Sequence, residues 1–169
     1  MPRRFFLAFL LLLAGCATAP FETVRPAPAE ITQFAITGRL AVRKAEARHH
    51  VHIDWRHAPQ DDTIVLSTPL GQGVAELTRD ASGARLALAD GRHFVAADWS
   101  QLALEVLGVP LPLDGAIRWL LGDLADTGGW RVSILARENG LPDGLPTLIE
   151  LERDDIGVRL KIDEWREVE

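Results

Sequence analysis

The sequence predicts a mainly β domain with helices, built on an antiparallel sheet that curls into an open or closed barrel. Three observations point there. Apolar and polar residues alternate with period two over most of the chain from Phe34 onward. Turn-forming residues separate the alternating runs at short intervals. Two segments in the middle switch to helical spacing. A length of 169 residues fits one domain of ordinary size. With 47% of residues in the AVILMFWYC group and 25% charged, the chain can bury a core.

The first residues read as an address. Arg3 and Arg4 precede the unbroken apolar run Phe5–Leu13, and the small residues Ala14 and Gly15 stand before Cys16. That order is the architecture of a secretory leader. The run is about ten residues, roughly half what a spanning helix needs. Leu13-Ala14-Gly15-Cys16 resembles the bacterial lipobox. The resemblance implies removal of residues 1–15, a diacylglyceryl thioether on the Cys16 sulfur and an acyl group on its new amino terminus. Ala17 stands where an Asp would imply inner-membrane retention, so the resemblance implies the outer membrane of a Gram-negative bacterium, on its periplasmic face. Residues 16–33 then comprise the lipidated cysteine and a tether. Pro20, Pro26 and Pro28 favour extended chain there. Fully extended, Ala17–Gln33 reaches at most roughly 60 Å at ~3.5 Å per residue. Residues 34–169 form a single folded domain.

The elements follow in order. Phe34, Ile36, Leu40 and Val42 share one face, with Arg39 and Arg43 on the other. Val51, Ile53 and Trp55 alternate with His50, His52, Asp54 and Arg56. Ile64 and Leu66, Ala75 and Leu77, then Leu86 and Leu88 continue the pattern, which means strands with one buried and one wet face. Ala58-Pro59-Gln60-Asp61-Asp62, Ser82-Gly83 and Asp90-Gly91 are the turns, the last a hairpin signal. Asp98 is placed to cap a helix over Trp99–Leu107, with Gln101 at the capping-box position. Trp99, Leu102, Ala103, Val106 and Leu107 form its apolar stripe. Gly108 ends it and Val109-Pro110-Leu111-Pro112 is a rigid connector. Asp114 opens a second helix through Leu121, stopped by Gly122, with Ile117, Leu120 and Leu121 as its apolar side. Strands resume at Trp130, Val132 and Ile134. After a turn-rich stretch over residues 139–144 come Ile149 and Leu151, then Ile156, Val158, Leu160 and Ile162. About nine strands and two helices result, the strands expected to pair sequentially as an antiparallel meander. A twisted sheet of that size curls, and the helix pair covers its open side or plugs its interior.

Composition narrows the chemistry. A net charge of -6, more negative once Arg3 and Arg4 leave, lacks the basic footprint of nucleic-acid binding. One cysteine excludes an internal disulfide and a Cys-based zinc cluster. His50, His52 and Asp54 share a strand face but read as a solvated polar surface, not a metal site, which would need a third protein ligand. No serine sits in a G-x-S-x-G elbow. Asp61-Asp62 and Asp154-Asp155 read as turn chemistry, not as an acid/base pair. No catalytic residue, metal or cofactor is assigned. One loop stands out: Ser67-Thr68-Pro69-Leu70-Gly71-Gln72-Gly73 joins two strands and carries a large apolar residue, Leu70, at its tip. Leu70 either folds back onto the barrel end or projects to touch a membrane or a partner.

Several segments together resemble the outer-membrane lipoprotein receptor family LolB. They are Thr37-Gly38-Arg39-Leu40-Ala41-Val42, Ile53-Asp54-Trp55, Thr68-Pro69-Leu70-Gly71, Gly108-Val109-Pro110-Leu111-Pro112-Leu113 continuing to Trp119-Leu120-Leu121-Gly122, Gly129-Trp130-Arg131-Val132, and Leu160-Lys161-Ile162-Asp163-Glu164-Trp165. They occur in the family's order and span nearly the whole chain after Cys16. The resemblance implies an unclosed antiparallel half-barrel with helices over its mouth and an apolar cavity. It implies a monomeric receptor that accepts triacylated lipoprotein cargo from a soluble periplasmic carrier, LolA, and places it in outer-membrane lipid. Leu70, flanked by Pro69 and Gly71, matches the family's protruding apolar residue implicated in membrane insertion.

The residues offered for the cavity are Ile36, Leu40, Val51, Ile53, Trp55, Leu66, Leu86, Leu88, Phe94, Leu102, Val106, Trp119 and Val132. The same pattern would serve a filled barrel. Two other functions therefore stand beside the receptor. One is a structural outer-membrane lipoprotein that binds partners on its outer face. The other is a periplasmic hydrolase whose Ser, His and Asp meet in a cleft.

Overall fold

A computed structural model describes residues 27–107 and 113–166. The leader, Cys16 and most of the tether lie outside the described residues. So do the Gly108 stop, the 109–112 connector and the side chains of Val106, Leu107 and Asp114. The described chain forms β1 (Phe34–Lys44), β2 (Ala47–His57), β3 (Asp62–Ser67), β4 (Gly73–Asp80), β5 (Gly83–Leu88) and β6 (His93–Ala96). After these come α1 (Trp99–Leu107), α2 (Leu113–Leu120), β7 (Arg131–Arg137), β8 (Pro146–Arg153) and β9 (Ile156–Arg166). Pro28–Glu30 makes a 3-10 turn and Ile31 packs on the core.

All nine strands form one antiparallel sheet in the order β6-β5-β4-β3-β2-β1-β9-β8-β7. This corrects the single meander. Six strands follow in chain order, three more make a second meander, and β9 returns to pair with β1. Alternation marks which segments are strands but does not name a strand's second neighbour. The joint has its own residue. A Cβ on Gly38 would overlap the Lys161 carbonyl oxygen and lie 3.1 Å from Ile162 Cα, so β9 can approach β1 only over a glycine. The ladder shifts register at Thr37/Gly38, which bends the strand there. β6 and β7 remain free edges, so the sheet is an unclosed barrel. Both helices lie in the chain between those edges.

α1 begins as its capping residues predict. The Gln101 amide donates to Asp98 Oδ1 at 2.8 Å, and Gln101 Oε1 accepts from the Ala97 amide at 3.3 Å. α2 starts and ends one residue earlier than expected. Gly122, at φ +90°, turns the chain away after it.

The core occupies one end of the concave face. Phe34 stacks edge-on against Trp55 and Trp165, with ring centroids 5.6 and 5.3 Å apart. Trp99 and Leu102 of α1 and Leu120 of α2 pack into the same cluster with Ile36, Ile64 and Leu86. Trp165 is anchored by donating its indole N–H to the Pro146 carbonyl at 2.9 Å. This end of the half-barrel is sealed.

A buried polar network ties the sealed end, and it corrects the reading of Asp62 as a turn residue. Asp62 opens β3 with its side chain inward and is 1% exposed. Its Oδ1 accepts from Trp55 Nε1 at 2.9 Å and from His57 Nδ1 at 2.8 Å. A carboxylate accepts only, so Nδ1 carries the hydrogen. Arg79 donates to Oδ2 through Nε at 2.7 Å and also through Nη2. Burial pushes the Asp62 carboxyl up, but the hydrogen bonds from His57, Trp55 and Arg79 and the charge of His57 outweigh it. The carboxyl is held below its ordinary value of 3.8. A buried charge is tolerated here because both neighbouring strands, β2 and β4, supply its partners.

Candidate functional site

The concave face changes character along its strands. Cross-strand partners share a face, so the register defines rows. Ile36 faces Trp55 and Trp165, and Ile64 faces Trp55 and Leu77. Those rows lie under the helices at the sealed end. Two steps further along β1, Leu40 faces Val51 and Leu160. In parallel, Leu66 faces Ala75, which faces Leu88. On the other wing Leu151 lies between Val132 and Val158. Every residue of this second zone is only partly buried. The result is an aliphatic floor continuous with the core but half open to solvent.

The thirteen proposed cavity residues divide along that line. Ile36, Ile53, Trp55, Leu86 and Leu102 are buried in the sealed cluster. Leu40, Leu66, Leu88, Phe94 and Val132 are partly buried and pack against it, and Val51, partly buried, faces Leu40. Trp119 lies apart, in a second cluster with Trp130 and Ile156, where its indole N–H donates to the Asp126 carbonyl at 2.9 Å. The Val106 side chain lies outside the described residues. Sequence reasoning left out Ala75, Leu151, Val158 and Leu160, although all sit in alternating runs. Their cross-strand register with Leu66, Val132, Val42 and Leu40 puts them on the same floor.

At the open end stands the loop between β3 and β4. Its main chain closes on itself: the Gly71 amide donates to the Thr68 carbonyl at 2.8 Å, and the Thr68 amide to the Gln72 carbonyl at 2.8 Å. The Gln72 amide also donates to Thr68 Oγ1 at 3.2 Å. Pro69 fixes one φ, and Gly71, at φ +83°, takes a conformation that other residues resist. The turn is thus built by backbone and hydroxyl, leaving the tip side chain unneeded for its shape. Leu70 projects 91% exposed, and Pro69 and Gly71 beside it are exposed as well. The loop springs from Leu66 and Ser67, so the tip adjoins the open aliphatic floor, away from the sealed core.

The outward face carries His50, His52 and Asp54, all exposed. Among the described residues, no group of three or more His, Cys, Asp or Glu side chains is placed to hold a metal ion.

Comparison with known proteins bears on this geometry. The family model for outer membrane lipoprotein LolB matches residues 32–165. An outer-membrane lipoprotein LolB of Chromobacterium violaceum is 31% identical over 97% of this chain and 98% of its own. One of Nitrosomonas europaea is 34% identical over 97% of this chain and 92% of its own. A solved structure of a LolA superfamily protein, also from Nitrosomonas europaea, covers 83% of this chain and 88% of that one. Its TM-score is 0.47 and its identity 10%, too distant to carry an argument.

Proposed function

This chain belongs to the outer membrane lipoprotein LolB family, and from that premise we propose that it is a receptor that takes acylated lipoproteins from a soluble LolA-like carrier of the periplasm and delivers them into the outer membrane. In this reading residues 1–15 are removed, Cys16 carries the lipid anchor, residues 16–33 tether it, and residues 34–169 receive the cargo. The receptor is an outer-membrane lipoprotein and works as a monomer by transfer, without catalysis.

One observation carries the proposal: a sealed apolar core runs without a break into a half-open aliphatic floor, beside an exposed leucine tip. An acyl chain in water is costly, at about 0.8 kcal/mol per CH₂, so one long chain amounts to on the order of 10 kcal/mol. A route through the periplasm needs apolar cover at each stage. The floor of Leu40, Val51, Leu66, Leu88 and Leu160 can supply it from one side, and the cargo chain itself covers the other. A tenfold preference over the carrier needs only about 1.4 kcal/mol. That is within reach of a small difference in burial and requires no nucleotide.

Delivery then requires the open end to meet the bilayer. The described chain begins at the sealed end, near Ile31 and Phe34, opposite the Leu70 tip. An 11-residue strand such as β1 is roughly 36 Å long at ~3.3 Å per residue. With Pro28–Ile31 held on the fold, residues 17–26 reach at most about 35 Å at ~3.5 Å each, which matches the length of β1 and lets the domain turn its tip toward the membrane that holds its anchor.

The test uses a non-lipidated form carrying Cys16→Ala, mixed with a carrier loaded with triacylated lipoprotein. Cargo recovered on this protein after pull-down is the expected result. Cargo that stays on the carrier, with the receptor folded, would overturn the receptor reading in favour of a filled barrel that binds partners on its outer face.

A further inference from the structure

On the outward side of the sheet lies an arrangement that cargo handling does not use. β1, β2 and β9 present Arg39, Arg43, Arg48, Arg159 and Lys161 there, with His50 and His52 among them. The register sets like charges against each other: Arg43 faces Arg48, and Arg39 faces Lys161. Such pairs destabilise an antiparallel ladder, and sequences keep conflicts of this kind mainly at functional places. Nearby acids neutralise only part of the charge. Asp163 pairs with Arg39 at 2.7 Å and Lys161 at 3.5 Å, Glu150 with Arg159 at 3.4 Å, and Glu152 with Arg131 at 2.8 Å. Arg43 and Arg48 have no acidic partner among the described residues. The Arg43 guanidinium lies over β9 at Gly157, where an added Cβ would come within 3.0 Å of its Nη2. In a chain of net charge -6, this is a local concentration of positive charge.

The patch has relief, and it leads to the loop tip. Two adjoining recesses of about 310 and 360 Å³ run beneath these side chains and share Ala41, His50 and Arg159. The first is bordered by Arg43 and Arg48, the second by Arg39 and Lys161. The second also reaches Pro69, next to Leu70. A stripe of cations therefore ends at an exposed apolar point. A bilayer surface has the matching order, with phosphates outside hydrocarbon.

We propose that this outward patch docks the domain on the anionic phosphodiester headgroups of a phospholipid bilayer, holding Leu70 against the hydrocarbon. The proposal rests on the reading of Leu70 as the membrane tip but concerns other side chains. Guanidinium groups suit phosphate geometry, with paired N–H donors for paired oxygens. An acidic protein would meet the same cations, but it gives no reason for the patch to run into an exposed leucine.

The test measures cosedimentation of the Cys16→Ala protein with vesicles, without cargo or carrier. One set is phosphatidylcholine alone, the other phosphatidylcholine with phosphatidylglycerol. Binding is expected to be stronger on the second set and to fall as salt rises. Arg43→Gln with Arg48→Gln is expected to weaken that binding about 30-fold, at roughly fivefold per cation, and to leave the first set unchanged. Lys161→Gln alone is expected to cost about fivefold and serves if the double variant does not fold. Equal binding to both vesicle types, or full binding by these variants, overturns the proposal. Competition by inorganic phosphate or by polyglutamate as effective as that by anionic vesicles also overturns it, in favour of a free anion or an acidic protein. Cargo delivery into vesicles of phosphatidylcholine alone keeps the two readings separate. If delivery there still depends on Leu70 while headgroup charge has no effect, only the docking proposal falls.

Discussion

Replacing Leu70 with Glu separates delivery from everything that precedes it. The residue is 91% exposed, and its turn is held by backbone bonds and the Thr68 hydroxyl. Substitutions at such surface positions change stability by about 0.5 kcal/mol or less. The aliphatic floor is not touched, so acceptance of cargo should be unchanged. Insertion is another matter. A leucine entering hydrocarbon is favourable by a few tenths of a kcal/mol, whereas a charged side chain at bilayer centre costs roughly 3 kcal/mol. A loop tip penetrates less deeply, so that difference, about 300-fold in equilibrium terms, is an upper bound. Delivery is expected to fall by one to two orders of magnitude. The assay incubates loaded carrier, receptor and vesicles, then measures cargo floating with lipid and cargo held by receptor. In the variant, cargo should accumulate on the receptor. Delivery at the wild-type rate refutes the role of the tip. Loss of acceptance by a folded variant refutes the separation of tip from floor.

Three further expectations come from the same geometry. Asp62→Asn leaves the Arg79 guanidinium without its carboxylate and should cost roughly 3 kcal/mol, the low end for breaking a buried pair because Arg79 is partly exposed. Since Asp62 is held below its ordinary value, its contribution is complete above about pH 3.8 and is lost as pH falls through the lowered folded value. Urea denaturation should therefore show the gap between wild type and variant narrowing in acid; a constant gap would contradict the network. Gly38→Ala forces β9 off β1 and should destabilise by about 2 kcal/mol or more, read from the same urea midpoints. Leu86→Ala in the sealed end should cost about 2–5 kcal/mol while its folded fraction still takes cargo, whereas Leu160→Ser on the open floor should lower cargo uptake with a smaller loss of stability.

Some elements were legible in the sequence because local chemistry specifies them. α1 is bounded by Asp98 and Gln101, and the Asp90-Gly91 turn joins β5 to β6 with Gly91 at φ +87°. Partners were less legible. Nothing local announces that β9 returns to β1, and Gly38 reads as an ordinary glycine until Lys161 is placed against it. Asp62 follows Asp61 in a run of turn residues, so it resembled its neighbour. Its burial depends on Trp55, His57 and Arg79, which come from other strands. The cavity reading was limited in another way. Period-two alternation tells which face a side chain takes but not how far along that face the helices reach. Ile36 and Leu40 are equivalent by pattern, yet one is 0% exposed and the other only partly buried.

That unevenness is what permits an open site to persist. An unclosed sheet with a half-exposed aliphatic floor invites pairing with another chain at its free edges. Both edges are built against it. β6 has only four residues. β7 carries Arg131 and Arg137, and its ladder with β8 shifts register at Ile134/Ala136 and again at Ala136/Arg137. Short, charged and irregular edges are poor templates for a further strand. With the edges blunted, the floor itself offers no strand-pairing groups, only concave apolar surface that a flexible chain can enter and a flat partner cannot. The stability that this opening forgoes is concentrated at the other end, in the aromatic cluster around Phe34 and the bonds to Asp62. Weakening the sealed end should therefore lower stability without altering what the open end binds, and filling the open end should stabilise the fold while abolishing acceptance.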